Sequence, residues 1–211
     1  KAAGVQVVKT ELGYGNGGAD VLDRLSRVIQ GVGSEAESHI NYRYNDTPGS
    51  LAVDTYRDLQ SAGESASGGG IHTAEHYDGL GRVVEQRWYE GAGYISTLRG
   101  YDGAGRVRRV SNAYRPGTEA VVWSSYEYDG LDRVVRVTGP DNSVRETRYT
   151  GKRREVIDEA QRRRYLDADG LGRLKEVLED PGGLNYLTEY EYNALDLLTR
   201  DARGAAAQLS V

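Results

Sequence analysis

The residues of this sequence best suited to bind a metal lie close together in its first half. His72, His76 and Asp78 form a set of two histidines and one carboxylate, which suits several divalent metals. A β-strand would spread the two histidines over about 13 Å, too far apart for one ion without a bend. We therefore expect exposed polar positions here, and we predict no metal site.

A serine-centred segment comes close to the nucleophile elbow of hydrolases. Residues 63–67 read Gly-Glu-Ser-Ala-Ser, and Ser67 stands where the pattern requires a second glycine. Serine and glycine dominate the neighbouring positions, which is typical of a flexible loop. We predict such a loop over residues 61–70, with no catalytic residue and no enzymatic activity.

A glycine-rich segment near the start is the third candidate for chemistry. Residues 13–18 read Gly-Tyr-Gly-Asn-Gly-Gly and precede apolar residues at helical spacing, as at the start of a dinucleotide-binding fold. Residues 20–28, however, align without a gap on residues 129–137, so a repeat explains the same letters. We predict no cofactor, and a helix over residues 20–30 would contradict this interpretation.

The composition indicates a globular chain of short strands. The 211 residues include 28 Gly, 16 Tyr and only 4 Pro, which favours many strands joined by tight turns. A net charge of −5 argues against nucleic acid as a partner. There is no Cys for disulfides or thiolate ligands, and no apolar run approaches the roughly 20 residues of a membrane-spanning helix.

One segment recurs along the chain. Tyr-Asp-Gly-Leu-Gly-Arg-Val at residues 77–83 returns in three close copies and four weaker ones. The residues to which we assign structural roles in this repeat motif are Tyr77, Asp78, Gly79, Gly81, Arg82, Tyr101, Asp102, Gly103, Gly105, Arg106, Tyr128, Asp129, Gly130, Arg133, Asp169, Gly170, Gly172 and Arg173.

The interval between copies sets the size of the repeating unit. Counted from the Asp or its equivalent, turns are expected near residues 20, 45, 78, 102, 129, 150, 169 and 193. Most of these intervals are in the low twenties, which is enough for two strands and two turns. We therefore predict one repeat array over residues 1–211, made of about eight β-hairpins.

The motif contains its own turn chemistry. An Asp side chain can accept hydrogen bonds from backbone N–H groups ahead of it, and Gly can adopt the positive φ of a tight hairpin turn. We assign the positive φ to the first glycine, which is Gly79, Gly103 or Gly130. Replacing these glycines by Val is then expected to destabilise the fold.

The strands that flank the turn have different apolar patterns. Before it, Tyr126 and Tyr128 alternate with polar residues, as in a half-buried strand. After it, apolar residues stand at the first and fourth positions past the Arg, as at Val134 and Val137. Because a spacing of three breaks the alternation, we predict a β-bulge or a strong twist in this strand.

As a set, the repeated segments resemble the YD repeat of Rhs proteins, Tc-toxin C components and teneurins, over residues 20 to about 203. In that family, hairpins pair side by side into a β-ribbon that spirals into a hollow shell. The shell commonly encloses a toxic C-terminal polypeptide or serves as an extracellular scaffold. The resemblance implies a fragment of a longer bacterial protein of this type, secreted or at the cell surface.

The resulting expectation is an all-β fold of antiparallel hairpin repeats in a curved, spiralling ribbon. Its function would be that of a non-catalytic wall segment. Its partners would be the remainder of its own longer chain and an enclosed toxin or other cargo polypeptide. The chain begins at Lys1 rather than Met, and a ribbon cut from a longer one exposes unpaired strands, so edge-to-edge self-association is also expected.

Residues 180–184 read Asp-Pro-Gly-Gly-Leu, which matches the letters at which the family's shells cleave themselves. In that family the site closes the repeat region, whereas here another hairpin follows at residues 190–198. The same letters suit the turn between two repeat units. We therefore interpret Asp180 as a turn residue.

Two further groups leave alternatives open. The basic runs at residues 152–154 and 162–164 could bind an anion, but interleaved acidic residues favour a solvated face of ion pairs. Hairpin repeats rich in aromatic residues also occur in extracellular carbohydrate-binding and adhesion modules. The candidate glycan contacts for that alternative function are Trp88 and Trp123.

Overall fold

The computed structural model describes residues 9–15, 22–59, 62–67 and 69–205. These residues form sixteen β-strands and one 3-10 helix, and among them there is neither an α-helix nor any helix long and apolar enough to cross a membrane. The strands are β1 (Thr10–Tyr14), β2 (Leu25–Gln30), β3 (Ser38–Asn45), β4 (Leu51–Arg57), β5 (Ile71–Tyr77), β6 (Val83–Glu90), β7 (Gly93–Tyr101), β8 (Val107–Ser111), β9 (Trp123–Tyr128), β10 (Val134–Thr138), β11 (Val144–Thr150), β12 (Arg153–Ile157), β13 (Arg163–Ala168), β14 (Leu174–Glu179), β15 (Tyr186–Tyr192) and β16 (Leu198–Ala205).

The chain forms two compact units, the first of residues 1–101 and 110–122, the second of residues 102–109 and 123–211. Within each unit, strands pair antiparallel with their neighbours in chain order. The pairs run from β1 to β7 in the first unit and from β9 to β16 in the second. The predicted all-β fold of antiparallel hairpins is confirmed.

The alternative of a dinucleotide-binding fold fails at β2. Residues 25–30 form a strand that pairs with β1 and β3, so no helix occupies them. Asp23 and Arg24 precede β2 as Asp132 and Arg133 precede β10, with positive φ at both aspartates. Residues 16–21, which include the expected turn near residue 20, lie outside the described residues.

The sheet buries few side chains. Among the described residues, the buried apolar side chains are Ile29, Ala52, Ala74 and Ile157. With so little apolar burial, stability has to come from the backbone ladder and from contacts between side chains on neighbouring strands.

In five of the described hairpins, the strand after the turn contains the predicted bulge. In the β9–β10 pair, Val134 lies opposite Tyr128 and Val137 opposite Tyr126, so one strand has an extra residue. The extra residue brings Val134 and Val137 to the same face as the two tyrosines, which explains their spacing of three. The same register shift occurs in the pairs β1–β2, β5–β6, β13–β14 and β15–β16.

The turn itself differs from the prediction at one position. The second glycine of the motif has positive φ, as at Gly81, Gly105 and Gly172. The first glycines, such as Gly79 and Gly103, do not have positive φ. The assignment to Gly79, Gly103 and Gly130 is therefore wrong. The cause is the geometry of the turn, in which the Gly81 N–H donates to the Asp78 carbonyl at 3.0 Å. Such a turn needs its left-handed residue at the fourth position counted from Asp78, which is Gly81.

This correction gives a test with a matched control in one turn. Gly81→Val places a β-branched residue at φ 75°, so we expect it to lower the free energy of unfolding by about 1–2 kcal/mol. Gly79→Val lies two residues away in open space and without positive φ, so it should cost clearly less. Urea denaturation of both variants measures the difference, and equal losses would contradict this turn geometry.

Candidate functional site

The aspartate of each clear motif copy organises its turn. At Asp102, Oδ1 accepts hydrogen bonds from the backbone N–H of Ala104 (3.0 Å) and Arg106 (2.9 Å). Oδ2 accepts a hydrogen bond from Arg106 Nε (2.8 Å). The backbone and side-chain hydrogen bonds of Arg106 lower the pKa of Asp102, so the carboxylate stays ionised near neutral pH. The same arrangement recurs at Asp78, Asp129 and Asp169.

The arginine held by this aspartate reaches the tyrosine of the next repeat. The guanidinium of Arg106 lies over the Tyr128 ring, 4.6 Å from its centroid. The Tyr128 hydroxyl donates to the Val107 carbonyl at 2.8 Å, which ties the ring back to the strand that follows the arginine. We call this Asp-Arg-Tyr group the clamp. Its copies are Asp78–Arg82–Tyr101, Asp102–Arg106–Tyr128, Asp129–Arg133–Tyr149 and Asp169–Arg173–Tyr192.

Two clamp arginines also bind an aspartate in the turn of the following motif copy. Arg106 Nη1 donates to Asp132 Oδ1 at 2.7 Å, and Arg173 Nη1 donates to Asp196 Oδ1 at the same distance. Asp132 and Asp196 stand at the left-handed position that other copies fill with glycine. Sequence reasoning missed this contact, although the change from Gly to Asp at this one position is its signal.

His72 lies in an aromatic stack on the first unit. Its ring lies between Tyr56 and Tyr89, with ring centroids 4.2 Å and 3.8 Å away. His72 Nε2 lies 2.6 Å from Asp54 Oδ1. The expectation of an exposed position is therefore wrong for His72, because the stack half-buries it.

His76 is also half-buried, and it does not form a metal site with His72 and Asp78. Burial and the nearby Arg87 lower the pKa of His76, which favours the neutral ring. The Asp78 carboxylate is bound to Arg82. Within the described ranges, the structure contains no cluster of three or more residues placed to hold a metal ion.

The segment with the approximate nucleophile pattern is folded rather than open. Glu64–Ser67 form the 3-10 helix, and Ser65 at its centre is fully buried. The Ser65 hydroxyl donates to Asp58 Oδ1 at 2.5 Å and accepts from Asn41 Nδ2 at 2.8 Å. The flexible-loop expectation for residues 61–70 is therefore wrong for residues 64–67, because these contacts fix the turn. Ser65 is not an accessible nucleophile.

Asp58 is the centre of this small polar cluster. Its carboxylate accepts hydrogen bonds from the Ser65 hydroxyl and from the backbone N–H groups of Ser65, Gly63 and His39. Burial raises the pKa of Asp58, but these four hydrogen bonds outweigh burial and hold the pKa at about 2.

The two tryptophans have different surroundings. The Arg109 guanidinium covers one face of Trp123, 4.2 Å from the ring centroid. Trp88 on β6 is 54% exposed and lines an open cavity of about 620 Å³ on the first unit. Of the two candidate glycan contacts, Trp88 is the one with an open ring.

The basic runs are paired with acidic residues. Arg153 forms a bidentate ion pair with Asp167, and Arg164 Nη2 lies 2.8 Å from Glu179 Oε1. These pairs agree with a solvated face of ion pairs rather than an anion site. Asp180 has φ 50° and its Oδ2 accepts the Leu184 N–H at 2.8 Å, so it is a turn residue as predicted.

Comparison with known proteins gives a structural likeness only. No protein family matches the sequence, and a search of curated proteins found no match. The fold is similar to a crystal structure of TcdB2-TccC3 without its hypervariable C-terminal region, with a TM-score of 0.54 and 12% identity. A TcdB2-TccC3-Cdc42 structure gives a TM-score of 0.51 and 12% identity.

These matches concern a small part of large chains. The first covers 79% of this chain and 10% of the other, and the second covers 78% and 10%. At this level of identity the likeness shows the fold. These neighbours are Tc-toxin chains, the group that the YD motif itself resembles.

The clamp can be tested by removing one hydroxyl. Tyr128→Phe deletes the hydrogen bond to the Val107 carbonyl, so we expect a loss of about 1 kcal/mol in the free energy of unfolding. Tyr149→Phe is the matched control, because Tyr149 lies under Arg133 but its hydroxyl has no hydrogen bond within the described part of the chain. Urea denaturation should find Tyr149→Phe close to the parent, and a similar loss in both variants would contradict the role of the hydroxyl.

The low pKa of Asp58 predicts that the stability of the fold falls at acid pH. Its folded-state pKa of about 2 lies below the ordinary value of 3.8, so between these values the unfolded chain binds more protons than the folded chain. This contribution to stability is therefore present above about pH 4 and is lost as the pH falls towards about 2. Asp58→Asn should lower stability at pH 7 and flatten the acid dependence, as followed by urea denaturation. Asp201→Asn on the exposed part of β16 should leave both unchanged.

Proposed function

We propose that this chain is a non-catalytic wall segment of a YD-repeat shell, made of about eight hairpin units in one repeat array. The observation that carries the proposal is the clamp, which joins one hairpin to the next in both units. Contacts of this kind serve to hold a sheet together. The likeness of the fold to Tc-toxin chains supports the same role.

The partners follow from the same comparison. One similar structure is of TcdB2-TccC3 without a hypervariable C-terminal region, so that protein has a variable segment beyond the matched fold. We propose that the shell to which this chain contributes encloses a C-terminal polypeptide, such as a toxin, of its own longer chain. Secretion or display at the cell surface would accompany that role.

Exposed leucines at the hairpin turns support contacts with further segments of the shell wall. In the second unit, Leu131, Leu171 and Leu195 are 73%, 76% and 79% exposed. They occupy the same position of their turns. Consecutive hairpin turns alternate between the two ends of the strands, and these three turns lie at the same end of the strands of the second unit. Apolar side chains repeated at a solvated turn suit burial against another part of the same longer chain.

One observation favours the alternative function, an extracellular carbohydrate-binding or adhesion module. This observation is the open indole of Trp88 beside a cavity. The two functions are compatible, because a wall segment has a surface that can also bind sugars.

The wall function predicts protection of a cargo. In the longer polypeptide that the proposal requires, the segment after the repeats should resist protease under native conditions. Asp129→Ala combined with Asp169→Ala removes two clamps, so digestion of that segment should become at least several-fold faster as measured by gel densitometry.

The matched control is Asp141→Ala, because Asp141 caps only its own turn through Ser143. This variant should leave the segment protected. Rapid digestion of the segment in the parent would refute enclosure, and equally slow digestion in the parent and the double variant would refute the role of the clamps.

A further inference from the structure

Two rows of side chains meet on one face of β4 to β7. Thr55 lies opposite Thr73, Thr73 opposite Trp88, and Trp88 opposite Ile95. Directly opposed residues of antiparallel strands share a face, so these side chains form one row across four strands. The threonine hydroxyls in this row have no hydrogen bond to any other described residue.

The second row provides ordered polar groups. Glu75 lies opposite Gln86, and Gln86 opposite Thr97. Gln86 Nε2 donates to Glu75 Oε1 at 2.8 Å, and Arg99 Nη2 donates to Gln86 Oε1 at 3.0 Å. These bonds fix the orientation of the amide, so the row presents donors and acceptors in set positions beside the indole.

Together the rows line the open cavity of about 620 Å³, a volume in the range of small-ligand sites. Its exposed indole offers a flat apolar surface, and its rim offers hydroxyl, carboxylate, amide and guanidinium groups. A pyranose ring is complementary to this combination, because it has an apolar C–H face and hydroxyls around its edge.

Other occupants fit less well. An apolar peptide would cover Arg57, Glu75 and Gln86 without replacing their hydrogen bonds to water, which costs free energy. Nucleic acid is disfavoured by the net charge of −5. From this chemistry we propose that the Trp88 face binds a short neutral oligosaccharide, stacked on the indole and hydrogen-bonded to Thr73 and Gln86. This inference does not rest on the wall function.

The experiment uses the full chain with Trp123→Phe, so that Trp88 is the only fluorescent indole. Cellotetraose, chitotetraose, xylotetraose and maltotetraose are titrated separately, to about 20 mM. We expect at least one to shift Trp88 fluorescence with saturation, at a dissociation constant on the order of 1 mM or below. Circular dichroism of each protein confirms that it is folded.

Two variants in the same background then test the rows. Thr73→Val should weaken binding about threefold to tenfold, which is the loss of one hydrogen bond. Gln86→Ala should weaken it at least as much, since it also removes the hydrogen bonds from Gln86 to Glu75 Oε1 and from Arg99 to Gln86. Thr147→Val on β11 is the matched control, because it makes the same change in the second unit, and it should leave the affinity unchanged.

Three outcomes would overturn the proposal. The first is the absence of any saturable shift with all four sugars. The second is a shift that Thr73→Val and Gln86→Ala leave intact. The third is a shift caused by an unfolded polypeptide, such as reduced and carboxymethylated α-lactalbumin, that none of the four sugars competes away, since the face would then be a polypeptide site.

Discussion

In every clear copy of the motif, one carboxylate closes the turn and also fixes the arginine that follows it. The aspartate holds the arginine at Nε and, in three copies, also at Nη2. Nη1 and the flat face of the guanidinium therefore point towards the next hairpin. The tyrosine of that hairpin then binds the backbone next to the same arginine in three of the copies. A local turn is thereby converted into a link between repeats, made by an aspartate and an arginine at one end and a tyrosine at the other.

This link matters because the sheet has few stabilising side-chain contacts besides its backbone ladder. Few apolar side chains are fully buried, and many ion pairs on the surface involve exposed groups. Exposed pairs of this kind contribute about 0–1 kcal/mol each. A cation over an aromatic ring, combined with a hydrogen bond to a backbone carbonyl, keeps its strength better because the ring shields it from water. The clamps therefore add to the cohesion that the backbone ladder provides.

The sequence predicts some of these features and not others, for physical reasons. The bulge follows from the spacing of Val134 and Val137, because one extra residue is the simplest way to bring both to one face. The left-handed residue was assigned wrongly, since Gly79 and Gly81 can both adopt positive φ and only the hydrogen bond to Asp78 distinguishes them. The contact of Arg106 with Asp132 and the stack around His72 depend on strand register, which cannot be read from a single sequence.

The order of the strands also determines how such a sheet responds to force. Within each unit the described strands pair with their neighbours in the chain, so tension on the two ends of a unit opens the outermost hairpin first and breaks its hydrogen bonds one after another. A sheet whose terminal strands were paired with each other would be sheared, with all bonds of a ladder loaded together. Each unit would therefore yield hairpin by hairpin at low tension, and the clamps would set the size of each step.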